Sequence, residues 1–269
     1  MNEGSARLAE HRRIWEGKPV LSRIYSVWFD ALLASLPPRP RVVEVGAGPG
    51  FLSGHARGRL PGLPWVATDV LETPWNDVVA DGLRLPFRAQ AFDAVVGLDL
   101  VHHLARPAAF FAEAARVLRP GGRIAVIEPW VSPLSYPIYR WLHHEGCTLA
   151  VDPWDPFGHE QTGGKDPFQG DAAVLWRLVR GTAAGRWREL GFEPPAVTRL
   201  NGFAYLMSLG FRRGSLLPGP TMIGLKLRSS SPSGGSIAVT SALPSLSRSV
   251  MNRGIAFCTC AFRPMFCSM

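Results

Sequence analysis

The sequence predicts an α/β fold built on a parallel sheet that is buried on both faces. Three observations carry that reading. Short apolar runs of strand length recur at Val42–Val45, Trp65–Thr68, Val78–Ala80, Ala94–Gly97 and Ile124–Ile127. Stretches with helical spacing separate them, which is the pattern of β-α-β units. The runs are nearly continuous in apolar character instead of alternating, as strands covered on both sides require.

The elements follow in order. Leu21, Ile24, Tyr25, Trp28, Phe29, Leu32, Leu33 and Leu36 recur at i, i+3, i+4 and i+7 and predict an amphipathic helix over about 20–36. Pro37-Pro38 ends it, because proline cannot continue the hydrogen-bond ladder. The first strand runs into glycines and then a helix to about Arg59. The second and third strands precede the fourth, Ala94–Gly97. A helix over Pro107–Leu118 then puts Phe110, Phe111, Ala114 and Val117 on one face. "RPGG" turns the chain into the fifth strand. From about 129 to 185 prolines, tryptophans and polar residues break the rhythm. That stretch reads as an insertion, with helices near Ile138–Leu149 and Ala172–Arg180. A helical pattern at Gly185–Leu190 and the run "AVTRL" return to the sheet, and "TMIGLKLR" is the candidate last strand. "SSSPSGGS" beyond Arg228 has linker composition. Residues 229–269 show no clear period, so the domain is expected over 1–228, with 229–269 a disordered or non-native tail.

Composition narrows the function classes. The chain has 269 residues, is 46% hydrophobic, and carries a net charge of +8. The final segment 229–269 contributes Arg248, Arg253 and Arg263 and no acid. The arginines are scattered, with no basic stripe and no interleaved aromatics, so nucleic acid is not an expected partner. No run of about 18 apolar residues is present, so a spanning helix is not expected. "MNEGSARLAEHRRIW" has no apolar signal core, which leaves the cytoplasm as the default compartment. Cys147 stands apart from Cys258, Cys260 and Cys267, so the body shows no disulfide framework.

The chemistry concentrates at the ends of the predicted strands. "RVVEVGAGPGF" carries Gly46, Gly48 and Gly50 spaced G-x-G-x-G. A dinucleotide fingerprint wants a further glycine where Phe51 stands. Glu44, two residues before Gly46, would repel a pyrophosphate but suits a ligand that presents a cation. Asp69 ends the second strand, where an acid can accept both hydroxyls of a ribose. Asp81 ends the third, followed by an apolar stretch with Leu83 that can pack on an adenine ring. Asp99 and Leu100 fall at the carboxyl end of the fourth, the edge where open parallel sheets bind ligands.

Taken together, "VVEVGAGPG", "ATDVL", "DGLRLPF", "FDAVVGLDLVHHL" and "VLRPGGRIAVIEP" resemble, in order and spacing, the class I S-adenosylmethionine-dependent methyltransferases, nearest the small-molecule, methyltransferase type 11-like branch. The resemblance covers about residues 41–128 strongly. It implies a Rossmann-like three-layer sandwich whose seven-stranded, mostly parallel sheet has its last strand antiparallel, with a helical lid insertion after strand 5. It implies that S-adenosyl-L-methionine is the cofactor. Glu44, Gly46, Ala47, Gly48 and Gly50 would surround its methionine part. Asp69 and Val70 would meet the ribose side, Asp81, Gly82 and Leu83 the adenine, and Asp99 and Leu100 the floor. Glu44 stands where many relatives carry Asp, with the charge kept. Pro49 is tolerated beside a helix start.

The methyl donor of that family is already activated, so a base is needed only if the acceptor must lose a proton. His102 and His103 follow the fourth strand and are the catalytic candidates, as base or as substrate-orienting groups. Adjacent residues point in different directions, so at most one faces the acceptor. His143, His144, Asp152, Asp155, His159 and Glu160 form a polar cluster in the insertion whose spacing matches no metal pattern, and no metal is expected. Trp130, Tyr136, Tyr139, Trp141 and Trp154 either line an acceptor pocket or build the insertion's own core. The stretch 201–218 either rests on a membrane surface or packs on the lid. The expected acceptor is a small molecule or a lipid- or glycan-linked group. A catalytically silent cofactor-binding scaffold is the alternative, and a nicotinamide-dependent oxidoreductase is disfavoured by Phe51.

Overall fold

The computed structural model describes residues 3–133, 135–142, 146–158, 168–180, 183–200, 205, 208–212, 214–216 and 255–261. The candidate strand "TMIGLKLR", His143, His144, His159, Glu160, half of 201–218 and most of 229–269 lie outside these residues.

Two helices open the chain, α1 (Glu3–Gly17) and α2 (Pro19–Ala34). Strand β1 (Val42–Val45) leads through the glycines to α3 (Phe51–Arg59). Strands β2 (Trp65–Asp69), β3 (Val78–Val79) and β4 (Phe92–Leu98) follow, then a 3-10 turn at Val101–His103 and α4 (Pro107–Val117). Strand β5 (Leu118–Pro129) enters the insertion, which holds α5 (Ser135–Pro137), a π-helical turn at Ile138–Leu142, and α6 (Val174–Leu178). After α7 (Ala183–Glu189) come β6 (Ala196–Leu200) and β7 (Ile255–Ala261).

The seven strands form one sheet in the order β3-β2-β1-β4-β5-β7-β6. Strands β1 to β5 pair in parallel, and β7 runs antiparallel to both β5 and β6. The order reverses at β1/β4, which opens a crevice at the carboxyl ends of those strands. Between β4 and β5 the register jumps at Phe92 and Ala94, and "RPGG" takes up the extra residues.

Period-two alternation makes the three layers. Val43, Val45, Val95, Ile124 and Val126 face α4, where they pack with Phe110, Phe111 and Ala114. Val42, Ala67, Ala94, Val96, Ala125 and Ile127 face the other way, onto Leu21, Trp28 and Phe29 of α2 and Leu52 and Ala56 of α3. The insertion adds Val174, Leu175 and Leu178 to the α4 side, with Trp187 of α7 buried beside them.

Three expectations need correction. The sheet takes its last strand from Ile255–Ala261, inside the segment expected to be a tail. An apolar run that pairs along both edges belongs in a sheet whatever its period, and β7 bridges Arg123–Pro129 of β5 to the whole of β6. Helix α1 was not expected, because its buried residues are few, Ser5 and Leu8. Of the helix expected near 138–149, the described residues show a π-helical turn at Ile138–Leu142, and residues 146–149 are not helical.

Candidate cofactor site at the glycine loop

The loop after β1 holds its shape by backbone conformation and by its neighbours. Gly46, Gly48 and Gly50 all have positive φ, at 67, 52 and 75°. L-residues with a Cβ rarely adopt this region. A Cβ at Gly46 would lie 2.7 Å from Leu100 Cδ1, and one at Gly50 2.8 Å from Trp75 Cδ1. Space is therefore as restricted as conformation at those two positions.

Polar contacts finish the loop. The Gly48 N–H donates to Asp69 Oδ2 at 2.8 Å, and the Leu71 N–H donates to Asp69 Oδ1 at 2.8 Å. The Ala47 N–H donates to the Thr68 carbonyl. The Trp75 indole N–H donates to the Gly48 carbonyl at 2.6 Å, and Arg12 of α1 donates to the Pro49 carbonyl at 2.7 Å. The Arg12 guanidinium also lies over the Trp75 ring, 4.7 Å from its centroid. Trp15 of α1 stacks on Phe51 at 4.0 Å, and Phe51 stacks in turn with Phe211 at 5.8 Å. So α1, which the sequence did not announce, is bonded and stacked onto the loop. Lys18, at the α1–α2 junction, donates to the carbonyls of Ser208, Gly210 (2.8 Å) and Arg212 (3.0 Å), which ties that segment to the same corner.

The acids at the strand ends differ in environment. Asp69 is buried, and burial raises its pKa while the bonds from Leu71 and Gly48 pull it back down. Beside it Val70 is 60% exposed, an apolar platform at the end of β2. Asp81 is exposed and accepts the Leu83 N–H at 2.8 Å, while Leu83 packs against the core. A Cβ on Gly82 would lie 2.8 Å from Val45 Cγ1. Asp99 has φ of 47°, a left-handed conformation that Asp tolerates better than most residues, and its N–H donates to the Ile127 carbonyl.

Glu44 lies beneath the loop. Alternation along β1 turns it with Val42 toward the α2 side, away from the loop's rim. It is 1% exposed, and the Trp65 indole N–H donates to its Oε2 at 2.8 Å. Burial pushes its pKa up to about 8, against an ordinary 4.5. Burial thus favours its protonated form at neutral pH.

A residue that sequence reasoning missed organises the other wall. Glu128, at the end of β5 and fully buried, accepts the N–H groups of Leu100 (2.9 Å), Val101 (2.7 Å) and His102 (3.3 Å). It also accepts His102 Nδ1 at 2.6 Å. The available signal was an acid closing an apolar strand beside a predicted His-His turn. His102 is accordingly 2% exposed, whereas His103 is half-buried and bonds through Nδ1 to the Gln169 carbonyl at 2.9 Å. The two histidines are brought together, with ring centroids 4.0 Å apart. Of the insertion aromatics, Trp130, Tyr136, Tyr139 and Trp154 pack against the core and Trp141 is 72% exposed. A cavity of about 390 Å³ at the α1–α2 corner is lined in part by Glu10, Arg13, Lys18 and Arg212, and none of its lining residues belongs to the glycine loop.

Strand order, the antiparallel last strand and the glycine loop together define a Rossmann-like fold of the class I methyltransferase type. Residues 43–126 match the family model described as a methyltransferase domain. The chain is 29% identical over 138 residues to the ubiquinone/menaquinone biosynthesis C-methyltransferase UbiE of Cereibacter sphaeroides, an alignment covering 45% of this chain and 54% of that protein. The UbiE of Dinoroseobacter shibae is 28% identical over 169 residues, covering 54% and 64%. A tRNA (carboxymethyluridine(34)-5-O)-methyltransferase, alkbh8 of Xenopus tropicalis, is 35% identical over 115 residues, covering 39% of this chain and 18% of that one. The chain thus spans about half the length of the first UbiE relative.

Among solved structures, the complex of the Haloferax volcanii Trm112 methyltransferase activator with a methyltransferase matches with a TM-score of 0.53 at 15% identity, covering 99% of this chain and 98% of that chain. A SAM-dependent methyltransferase from Archaeoglobus fulgidus matches with a TM-score of 0.51 at 12% identity, covering 89% and 94%. At such identities the likeness is one of fold.

Proposed function

We propose that this protein transfers a methyl group from S-adenosylmethionine to a small-molecule acceptor, with a quinol-type ring as the first acceptor class to test. The observation that carries the reading is the loop of three left-handed glycines tied by the Gly48 N–H to the acid that ends β2. The donor set suits a nucleoside. Two acids, Asp69 and Asp81, stand at neighbouring strand ends, with apolar surface from Val70 and Leu83 beside them. A carboxylate oxygen has more than one acceptor site, so Asp69 accepts ribose hydroxyls while keeping its backbone bonds.

In this reading Gly46, Ala47, Gly48 and Gly50 admit the methionine part, and Glu44 supports the loop from beneath as a neutral acid. Asp69 and Val70 hold the ribose side; Asp81, Gly82 and Leu83 hold the adenine. Asp99 and Leu100 form the floor. When bound, the cofactor supplies a methyl group already activated on a sulfonium. The chain's own work is to align the acceptor, exclude water and take up a proton where the acceptor carries one. The quinol class is drawn from the UbiE relatives, which are named for C-methylation in ubiquinone and menaquinone biosynthesis.

The test is incubation of the purified chain with methyl-labelled S-adenosylmethionine and 1,4-naphthoquinol, alone and together with a small-molecule cell extract. Label in an extractable small molecule supports the proposal. Cofactor binding without label in any fraction favours the silent scaffold.

A further inference from the structure

Helix α1 lies over the glycine loop. The direction that a Gly48 side chain would take is open: a Cβ there would meet Leu8 Cδ2 first, at 3.9 Å, and the Gly46 carbonyl oxygen at 4.0 Å. At Gly46 and Gly50 the corresponding space is filled by Leu100 and Trp75. The open side of the middle glycine therefore faces α1. Leu8 and Arg12 stand one turn apart on that helix and share a face. Arg12 reaches the rim of the same loop, where its Nη1 donates to the Pro49 carbonyl at 2.7 Å.

The loop's own donors are engaged. The Ala47 N–H donates to the Thr68 carbonyl, the Gly48 N–H to Asp69, and the Gly50 N–H to the Ala47 carbonyl. Pro49 has no N–H. The buried Asp69 side chain adds an acid beside Gly48. A ligand carboxylate arriving here meets occupied backbone donors and an acid, so it needs a cation. Arg12 supplies one. A guanidinium carries five N–H donors, and the bond to Pro49 engages one of them. Its plane rests on the Trp75 ring, 4.7 Å from the centroid. Trp75 is itself pinned to the loop, by its indole N–H on the Gly48 carbonyl and its ring edge against Gly50. The position of the cation thus follows the position of the loop.

We infer that Arg12 is the carboxylate-binding residue of the cofactor site, receiving the carboxylate at the amino-acid end of the methyl donor. The inference rests on the methyltransferase reading above and deepens it, because that reading gives this end a shaped loop but no partner of opposite charge. A planar guanidinium suits a carboxylate better than a point charge does, since two parallel N–H bonds can form at once. The contact also ties α1 to the ligand, so α1 docks more firmly when a carboxylate is present. A nucleoside ligand that lacks the carboxylate loses this one contact and keeps the rest.

Two binding measurements test it. Calorimetry compares S-adenosylhomocysteine with its decarboxylated analogue, which keeps the nucleoside, the sulfur and the amine. Wild type should prefer S-adenosylhomocysteine by about tenfold or more, the size expected of a charge-assisted pair. Arg12→Gln should bring that ratio to within about threefold, by weakening S-adenosylhomocysteine and leaving the analogue nearly as it was. An Arg12 that merely holds α1 on the Pro49 carbonyl would weaken both ligands alike; an unchanged ratio in the variant therefore overturns the inference. The second measurement uses wild type alone, so it does not depend on how the variant folds. With each ligand at saturation, backbone hydrogen exchange across α1 (Glu3–Gly17) should slow more with S-adenosylhomocysteine than with the analogue. Equal slowing overturns the inference. Wild type that binds both ligands equally well overturns it and leaves the methyltransferase reading intact, whereas wild type that binds neither overturns both.

Discussion

Replacing Glu44 by glutamine should remove a pH-dependent burden on the fold. Glu44 is 1% exposed and burial pushes its pKa up to about 8, whereas in the unfolded chain it titrates near its ordinary 4.5. Above pH 4.5 the unfolded state releases the proton and the native state keeps it, so stability falls as pH rises, until pH passes 8. One pH unit in that window is worth about 1.4 kcal/mol, so the interval from pH 6 to pH 8 costs wild type roughly 2–3 kcal/mol through this group alone. Glutamine does not titrate, fills almost the same volume, and offers a carbonyl to the Trp65 indole N–H that now donates to Glu44 at 2.8 Å. Other groups, Asp69 among them, contribute equally to both proteins, so the informative quantity is the difference between them. Urea unfolding of wild type and Glu44→Gln at pH 6 and pH 8 measures it. The gap should move in the variant's favour by roughly 2–3 kcal/mol, a Tm change of several degrees for a chain of this size. Parallel pH dependence in the two proteins would refute the reasoning, because it would mean that Glu44 is ionised in the native state.

Three further outcomes are expected. Asp69→Asn keeps the volume of the side chain but weakens acceptance of both the Gly48 N–H and a ribose, and should lower S-adenosylhomocysteine affinity at least tenfold by calorimetry. Lys18→Met withdraws one ammonium from the carbonyls of Ser208, Gly210 and Arg212, and should cost about 1–3 kcal/mol in thermal or urea unfolding. Truncation after Arg228 removes β7, the strand between β5 and β6, and should abolish cooperative melting. A truncated chain that melts like the full one would show that Ile255–Ala261 is dispensable.

The sheet was legible because burial on both faces leaves a local signature. Val42–Val45 and Ala94–Gly97 are apolar runs with turns on either side, and their pairing follows from the right-handed β-α-β connection. The positions of close backbone approach were legible too, since Gly46, Gly48 and Gly50 are residues whose presence only a special backbone conformation rewards. Partnership across the sheet was not legible. Glu128 reads as any acid at a strand end until the structure brings it to the N–H groups of Leu100, Val101 and His102. Glu44 reads as a loop carboxylate until alternation carries it under the sheet to Trp65. Strand β7 escaped because its pairing with β5 spans more than a hundred residues and its own sequence carries no turn signals. Helix α1 escaped because its hold on the glycine loop runs through Arg12 and Trp15, polar and aromatic contacts that leave no apolar stripe.

The most direct test of the account is calorimetric titration of the full chain with S-adenosylhomocysteine, and separately with NADH. The account predicts saturable one-to-one binding of S-adenosylhomocysteine that Asp69→Asn weakens, and no heat with NADH. Binding of NADH with none of S-adenosylhomocysteine would contradict it.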